Sequence, residues 1–374
     1  MNNLTIAKIF IVLFVVILSA CKTEKAPETL KEALKNDFYI GVAINEWQTT
    51  GDDSLTNATI VNNFSSIVAE NCMKSGSIQP REGVFKFEKP DEFVDFGEKN
   101  GMFIIGHCLV WHSQAPRWFF TDSTGNMVSR ETMIERMKTH ISTVVGRYKG
   151  RVNGWDVVNE AFNDDGTLRN TFFKQIIGDD YLKIAFQLAH EADPDAELYY
   201  NDYNTFVPEK RDAIYNFVKE LQSEGIQVDG IGMQAHITMT FPKPEEMEAA
   251  IEKFSELAQV HITEMDMTVL PWPSERLSAD IGLNYAADPK WNPYPVELSD
   301  SASVAWTNRF MDFFNVFLRH SDKIKRVTIW GLNDAQTWRN DWPIRGRKDY
   351  PVLFNRQNQP KPIVAEIIKA ATEK

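Results

Sequence analysis

Apolar residues fall along this chain in two alternating rhythms. Short, nearly continuous apolar runs recur, and between them lie longer segments whose apolar positions are three or four apart. The runs predict eight strands: 39–45, 67–73, 102–111, 152–158, one beginning at 197–200, 230–237, 260–265 and 326–330. The intervening segments predict helices. In one of them Met133, Ile134, Met137, Ile141, Val144, Val145 and Tyr148 share a face, with Ser129 placed as the N-cap and Glu131 in the first turn. Segments 179–191, 209–223 and 245–258 repeat that pattern. Strands alternating with helices predict a parallel α/β sheet with helical crossovers. Eight such units fit one closed barrel better than two open sheets. No Pro-, Gly- or Ser-rich linker divides the chain. The longest irregular stretch, 271–298, follows the seventh strand and carries Pro271, Pro273, Pro293 and Pro295. A loop of that length in a compact domain is usually functional, so it is expected on the face that carries chemistry.

The pattern before the first strand is different. Lys8 precedes an apolar run from Ile9 to Leu18, followed by Leu18-Ser19-Ala20-Cys21. A basic start, a short apolar segment and small residues predict a secretory signal over 1–20. The run is too short for a comfortable membrane span. A cysteine directly after Leu-Ser-Ala resembles the bacterial lipoprotein box. That resemblance implies lipid on Cys21 and an exported protein held at the bacterial outer membrane, on its periplasmic face or at the cell surface. A plain signal peptide with an incidental cysteine is the alternative. The charged segment 21–35 reads as a tether. Cys72 and Cys108 both lie in apolar strand-like segments, so two buried free thiols are expected, with a single disulfide as the alternative.

The net charge of −12 argues against nucleic acid or an anionic membrane surface as a partner. Any membrane contact is then through the lipid alone. Ten tryptophans can fill a core, but near loops they also stack on sugar rings.

The chemistry is concentrated at the strand ends. Trp155-Asp156-Val157-Val158-Asn159-Glu160 is an apolar strand ending in a polar pair, and His261-Ile262-Thr263-Glu264-Met265-Asp266 repeats the plan. Two such glutamates are what hydrolysis of a glycosidic bond requires. One protonates the leaving oxygen, and the other attacks the sugar or activates water. Other strand ends complete a polar ring: Asn45 and Glu46; Glu70, Asn71 and Lys74; His107, Trp111, His112 and Gln114; Asn201, Asp202 and Tyr203; Gln234 and His236; Trp330, Asp334 and Trp338. Any one of these has an ordinary explanation, His236 as a hydrogen-bonded core residue or a tryptophan as packing. Core packing alone does not place polar or aromatic groups at the ends of eight strands.

These segments closely resemble the family 10 glycoside hydrolases, the retaining endo-β-1,4-xylanases. The resemblance is carried by Ala69-Glu70-Asn71-Cys72-Met73-Lys74, the run Gly106 to Gln114, Trp155 to Glu160, Tyr200 to Asn204, Gly232-Met233-Gln234-Ala235-His236 and Ile262 to Asp266, with Trp330-Gly331 and Trp338. It spans about 36–370, so 36–374 is taken as the catalytic domain. It implies a (β/α)8 TIM barrel and xylan or xylo-oligosaccharides as substrate; no cofactor and no metal-ligating residue is expected. Glu160 is implied as the acid/base and Glu264 as the nucleophile, with His236, Asn159 and Asp266 in support. Glu70, Asn71, Lys74, His107, Trp111, Gln114, Gln234, Trp330 and Trp338 are implied as substrate-binding. The charge of Glu264 is expected to raise the pKa of Glu160. Two positions depart from the family pattern: Ser75 stands where Trp is frequent, and Ala235 where Gly or Ser is common.

Three alternatives differ in class. A metal-dependent hydrolase would lean on His107 and His112, but no zinc motif such as His-Glu-x-x-His occurs. A non-catalytic glycan-binding lipoprotein would keep the aromatics and could dispense with the carboxylates. The same mechanism could also act on a β-glucan or an aryl glycoside. A monomer is expected.

Overall fold

The computed structural model describes residues 26–50, 53–274 and 277–374. The signal segment 1–20 and Cys21 lie outside them. Among the described residues nine strands are present: β1 (Tyr39–Ile44), β2 (Ser66–Ala69), β3 (Phe103–Trp111), β4 (Gly154–Asn159), β5 (Glu197–Asp202), β6 (Gly230–Met233), β7 (His236–Thr238), β8 (Gln259–Thr268) and β9 (Ile324–Ile329). All pair in parallel. β1 through β6 follow in order, β6 pairs β8, β8 pairs β9, and β9 returns to β1, so eight strands close into a (β/α)8 barrel. β7 is a short addition beside the C-terminal part of β8.

Closure follows from the strand pattern. In β1, Ile40, Val42 and Ile44 face outward into the main apolar core beneath the helices, while Ala43 faces the barrel interior with Val68, Ile105 and Tyr199. Both faces are buried, as continuous apolar strands require. Gly106 shows how tightly the outer layer is packed, because a Cβ there would overlap the Trp155 ring. Helix Arg130–Arg147 starts as expected, with Ser129 Oγ accepting from Thr132 N at 3.2 Å. The other three expected helices appear as Tyr181–Ala192, Pro208–Ser223 and Pro244–Phe254.

Three boundaries differ from the sequence expectation. The second strand ends at Ala69, and Glu70 to Lys74 lie in the turn that follows. The expected strand 230–237 is cut at Gln234–Ala235, where Ala235 takes a left-handed φ of 58° that no regular strand accommodates. Such a φ favours Gly, one of the two residues that the resemblance sets at this position. The expected tether boundary also moves. Leu30–Ala33 is a helix, and Leu30 and Leu34 are fully buried in the main core, so packed structure starts before residue 36. This helix lies against the C-terminal helix Pro362–Thr372, and Lys374 pairs with Asp37, at the end where the strands begin.

Cys72 and Cys108 are buried free thiols, the first of the two alternatives expected. Burial pushes the Cys72 thiol up to about 12.

Candidate active site

The strands that carry the two glutamates both lose regular pairing close to them. The β4–β5 register shifts between Asp156 and Val158, and the β8–β9 register shifts between Ile262 and Met265. Such irregularities re-aim side chains at barrel rims. Glu160 also takes a left-handed φ of 57°. A non-glycine residue there costs on the order of 1–3 kcal/mol and persists only where its surroundings over-determine it.

At the C-terminal mouth a cavity of about 280 Å³ is lined by Glu70, Asn71, Lys74, His107, Trp111, Gln114, Asn159, Glu160, His236, Glu264, Trp330 and Trp338. These are all of the sequence-predicted site residues except Gln234 and Asp266. The long loop adds Ala279 and Ile281, and the segment after β9 adds Trp342.

Gln234, expected to bind substrate, instead serves the site from behind. Its Nε2 donates to Glu160 Oε1 at 3.1 Å and to Asn159 Oδ1 at 3.2 Å. The left-handed turn at Ala235 makes this possible, since it aims Gln234 at Glu160 and His236 at Glu264. Trp111 Nε1 donates to Glu160 Oε2 at 2.9 Å. Every one of these donors is neutral. The Glu160 carboxyl is held above the usual range, first by burial and then by the charge of Asp202, with Glu264 a smaller contributor. Glu264 thus acts in the expected direction, but burial contributes more and acts on Glu160 whether or not Glu264 is charged.

Glu264 is set up differently. His236 Nε2 lies 3.3 Å from its Oε2, and Asn201 Nδ2 donates to its Oε1 at 2.7 Å. Behind His236, Nδ1 meets Asp266 Oδ1 at 2.9 Å, a contact fixed by the β7–β8 pairing of His236 with Asp266. Asp266 in turn accepts from Arg339 Nη2 at 2.7 Å and Trp338 Nε1 at 2.6 Å. Burial opposes charge throughout this chain, but the pairing wins. Asp266 falls to about 2 beside Arg339 and His236, and His236 rises to about 9 beside Asp266 and Glu264. Burial alone would raise Glu264, yet the hydrogen bond from His236 and the charges of His107 and His236 bring it below the usual carboxylate range.

One flank of the cavity is a linked polar set. Asn45 Nδ2 donates to Glu70 Oε2 at 2.7 Å, Asn71 Nδ2 to Asn45 Oδ1 at 3.2 Å, and Lys74 Nζ to Asn71 Oδ1 at 3.2 Å. Lys74 also sits 5.0 Å over the Trp111 ring. Burial raises Glu70 to about 7 against the opposing charge of Lys74. His107 Nδ1 meets Asp156 Oδ2 at 2.8 Å, and its ring meets Trp330 edge-on at 5.2 Å.

Two ring residues serve structure rather than the cavity. Asp334 accepts from Val352 N and pairs with Lys361, and Asp202 pairs with the fully buried Lys210 at 2.7 Å. Sequence reasoning gave Asn201 no role and missed Arg339 and Trp342. Arg339 directly follows Trp338, but nothing local marks its partner 73 residues earlier.

Two equally buried carboxylates at the mouth of a (β/α)8 barrel, one biased neutral and one biased ionised, define a glycoside-hydrolase site. The comparisons with known proteins agree. The family model "Glycosyl hydrolase family 10" matches residues 29–370. Endo-1,4-beta-xylanase A of Xylanibacter ruminicola is 44% identical over 342 residues, covering 91% of this chain and 93% of that protein. The endo-1,4-beta-xylanase of Geobacillus stearothermophilus is 40% identical over 348 residues, covering 91% and 98%. A GH10 endoxylanase retrieved from sugarcane soil metagenome superposes with a TM-score of 0.88 at 40% identity, covering 91% of this chain and 99% of that one. A mutant in complex with xylotriose superposes with a TM-score of 0.81 at 35% identity, covering 91% and 99%. This chain belongs to glycosyl hydrolase family 10.

Proposed function

We propose that this enzyme is an endo-1,4-β-xylanase that hydrolyses xylan with retention by double displacement. The observation that carries the mechanism is the opposite bias of Glu160 and Glu264 at one cavity. The family membership and the printed activities of its relatives support the substrate. In the first step a Glu264 oxygen bonds to the anomeric carbon. The carbon–oxygen bond to the leaving sugar breaks, and the proton of Glu160 goes to the leaving oxygen. Glycosylation removes the Glu264 charge, one of the influences that keep Glu160 protonated. Glu160 then takes a proton from water, water oxygen bonds to the anomeric carbon, and the ester to Glu264 breaks.

Asn159, whose Oδ1 is occupied by Gln234 and Asn201, donates one amide hydrogen to Glu160 Oε1 at 3.4 Å and has the other left to meet the sugar 2-hydroxyl. His107, Lys74 and Gln114 bind neighbouring hydroxyls, and Glu70 and Asn71 bind the next sugar out. Trp111, Trp330 and Trp338 wall the cleft. Xylose lacks the hydroxymethyl group of glucose, so crowding by Trp330, Trp338 and the long loop favours xylan over glucan.

Incubation with glucuronoxylan, arabinoxylan and carboxymethylcellulose tests this, with products followed over time and the first-formed anomer read by NMR. Mixed xylo-oligosaccharides of β configuration from the xylans alone are expected. An α-anomer as first product would overturn retention. Binding of xylan without cleavage would favour the glycan-binding alternative. We propose further that Cys21 carries lipid and holds a monomeric enzyme at the bacterial outer membrane. Labelling with a fatty-acid probe, lost in Cys21→Ser, is the expected result, and retention of label in that variant would exclude it.

A further inference from the structure

Glu160 is held by a set of contacts to its backbone as well as its carboxyl. Its N–H donates to Asn201 O at 2.9 Å, Ala161 N–H to Tyr200 Oη at 3.1 Å, and Phe162 N–H to Asp202 Oδ2 at 3.3 Å. These three fix N–H groups from β5. The carbonyl of Glu160 is fixed from elsewhere: Arg169 Nε donates to it at 3.1 Å. Arg169 N–H also donates to Ala161 O at 2.7 Å, and its Nη2 donates to Tyr203 Oη at 2.9 Å.

Arg169 reaches this position through a small excursion of the chain. Phe162 and Leu168 form an antiparallel bridge, Asn163 N–H donates to Thr167 O at 2.8 Å, and Gly166 turns the chain at φ 80°. The Asn163-Asp164-Asp165-Gly166-Thr167 turn thus returns residue 169 to the residue that left the strand. Arg169 does not line the cavity. It spans from the left-handed residue at the strand end to Tyr203, and Tyr203 is itself pinned under Lys210 at 4.0 Å.

We infer that Arg169 is a positioning residue for the acid/base: its bond to the Glu160 carbonyl, anchored by Tyr203, holds the left-handed backbone that aims the carboxyl at the leaving oxygen. This rests on the assignment of Glu160 as acid/base under the proposed function. A carboxyl held in the wrong place still accepts Trp111 and Gln234, but it no longer meets the glycosidic oxygen. The cost then depends on how much the leaving group needs a proton.

Arg169→Met tests the inference, with kcat/KM measured on xylohexaose, whose sugar leaving group needs protonation, and on dinitrophenyl xylobioside, whose phenolate does not. A fall of roughly 30-fold or more on the oligosaccharide is expected, a part of the roughly 100- to 10,000-fold that general acid catalysis supplies. The aryl glycoside should lose less than about threefold, and on the oligosaccharide the loss should fall on kcat rather than KM. Equal losses on the two substrates, or no loss on either, would overturn a positioning role. Tyr203→Phe removes one hydroxyl and decides the matter if Arg169→Met does not fold. It should show the same selectivity at smaller size, and uniform behaviour across the substrates overturns the inference. The same pair of substrates applied to Glu160→Ala separates the outcomes. If that variant too loses equally on both, the acid/base assignment has failed rather than the role of Arg169.

Discussion

Glu160 and Glu264 are both 5% exposed and open into the same cavity, yet their surroundings push them to opposite charge states. Around the Glu160 carboxyl the donors are an indole and two amides, and the largest charge effect on it comes from Asp202, which is negative. Around Glu264 stands a histidine that Asp266 holds protonated, backed by a fully buried arginine. Burial penalises charge on both alike. The difference therefore lies in the formal charge of the partners: neutral donors satisfy a carboxyl without overcoming desolvation, whereas a cationic one overcomes it. A site that must hold one proton and withhold another needs both kinds of surrounding within one cavity.

Removing the ionised member should have the largest effect. Glu264→Ala is expected to lose roughly 10,000-fold or more in turnover on xylan and aryl xylosides alike, and a variant keeping a tenth of wild-type activity would break the assignment. Glu160→Ala should lose about 100-fold or more on xylan but far less in kcat/KM on activated aryl glycosides. Equal losses would remove the distinction between the two carboxylates. Asp266→Asn probes the supporting charge. Without Asp266 the pKa of His236 falls, neutral His236 no longer depresses Glu264, and Glu264 stays protonated to higher pH. The acidic limb of the kcat/KM profile should then move upward, and a limb that stays in place or moves down would contradict the charge relay. The same change leaves Arg339 buried beside a neutral partner, so a stability loss of about 3–5 kcal/mol is expected in urea unfolding. The smallest effect concerns Glu70. With a pKa of about 7, it becomes a purely accepting carboxylate as pH rises through neutrality. KM for xylo-oligosaccharides should fall several-fold across that range, and Glu70→Gln should flatten the dependence.

Local patterning made much of this legible. The strand rhythm gave the barrel, and the residues at strand ends gave the cavity lining, because in a parallel barrel those ends must converge on one mouth. Long-range pairing was not legible. Arg339 meets Asp266 only because β9 and β8 are neighbours in the closed ring, and no periodicity encodes that contact. Gln234 was expected at the cavity from the resemblance of its motif, and the left-handed turn at Ala235, which no periodicity marks, turns it toward Glu160 and Asn159 instead. The larger part of the Glu160 bias, burial, was not legible for a related reason. A sequence shows which charges stand near each other in a motif, but not how completely a side chain is withdrawn from water. Asn163 to Thr167 carried a plain turn signal, yet its importance lies in where it delivers Arg169, which depends on the tertiary fold.

The helix at Leu30–Ala33 and the C-terminal helix lie together at the end of the barrel where the strands begin. The cavity opens at the other end. A chain pulled or fastened through its leading residues is therefore held by its base, with the mouth pointing away from the point of attachment.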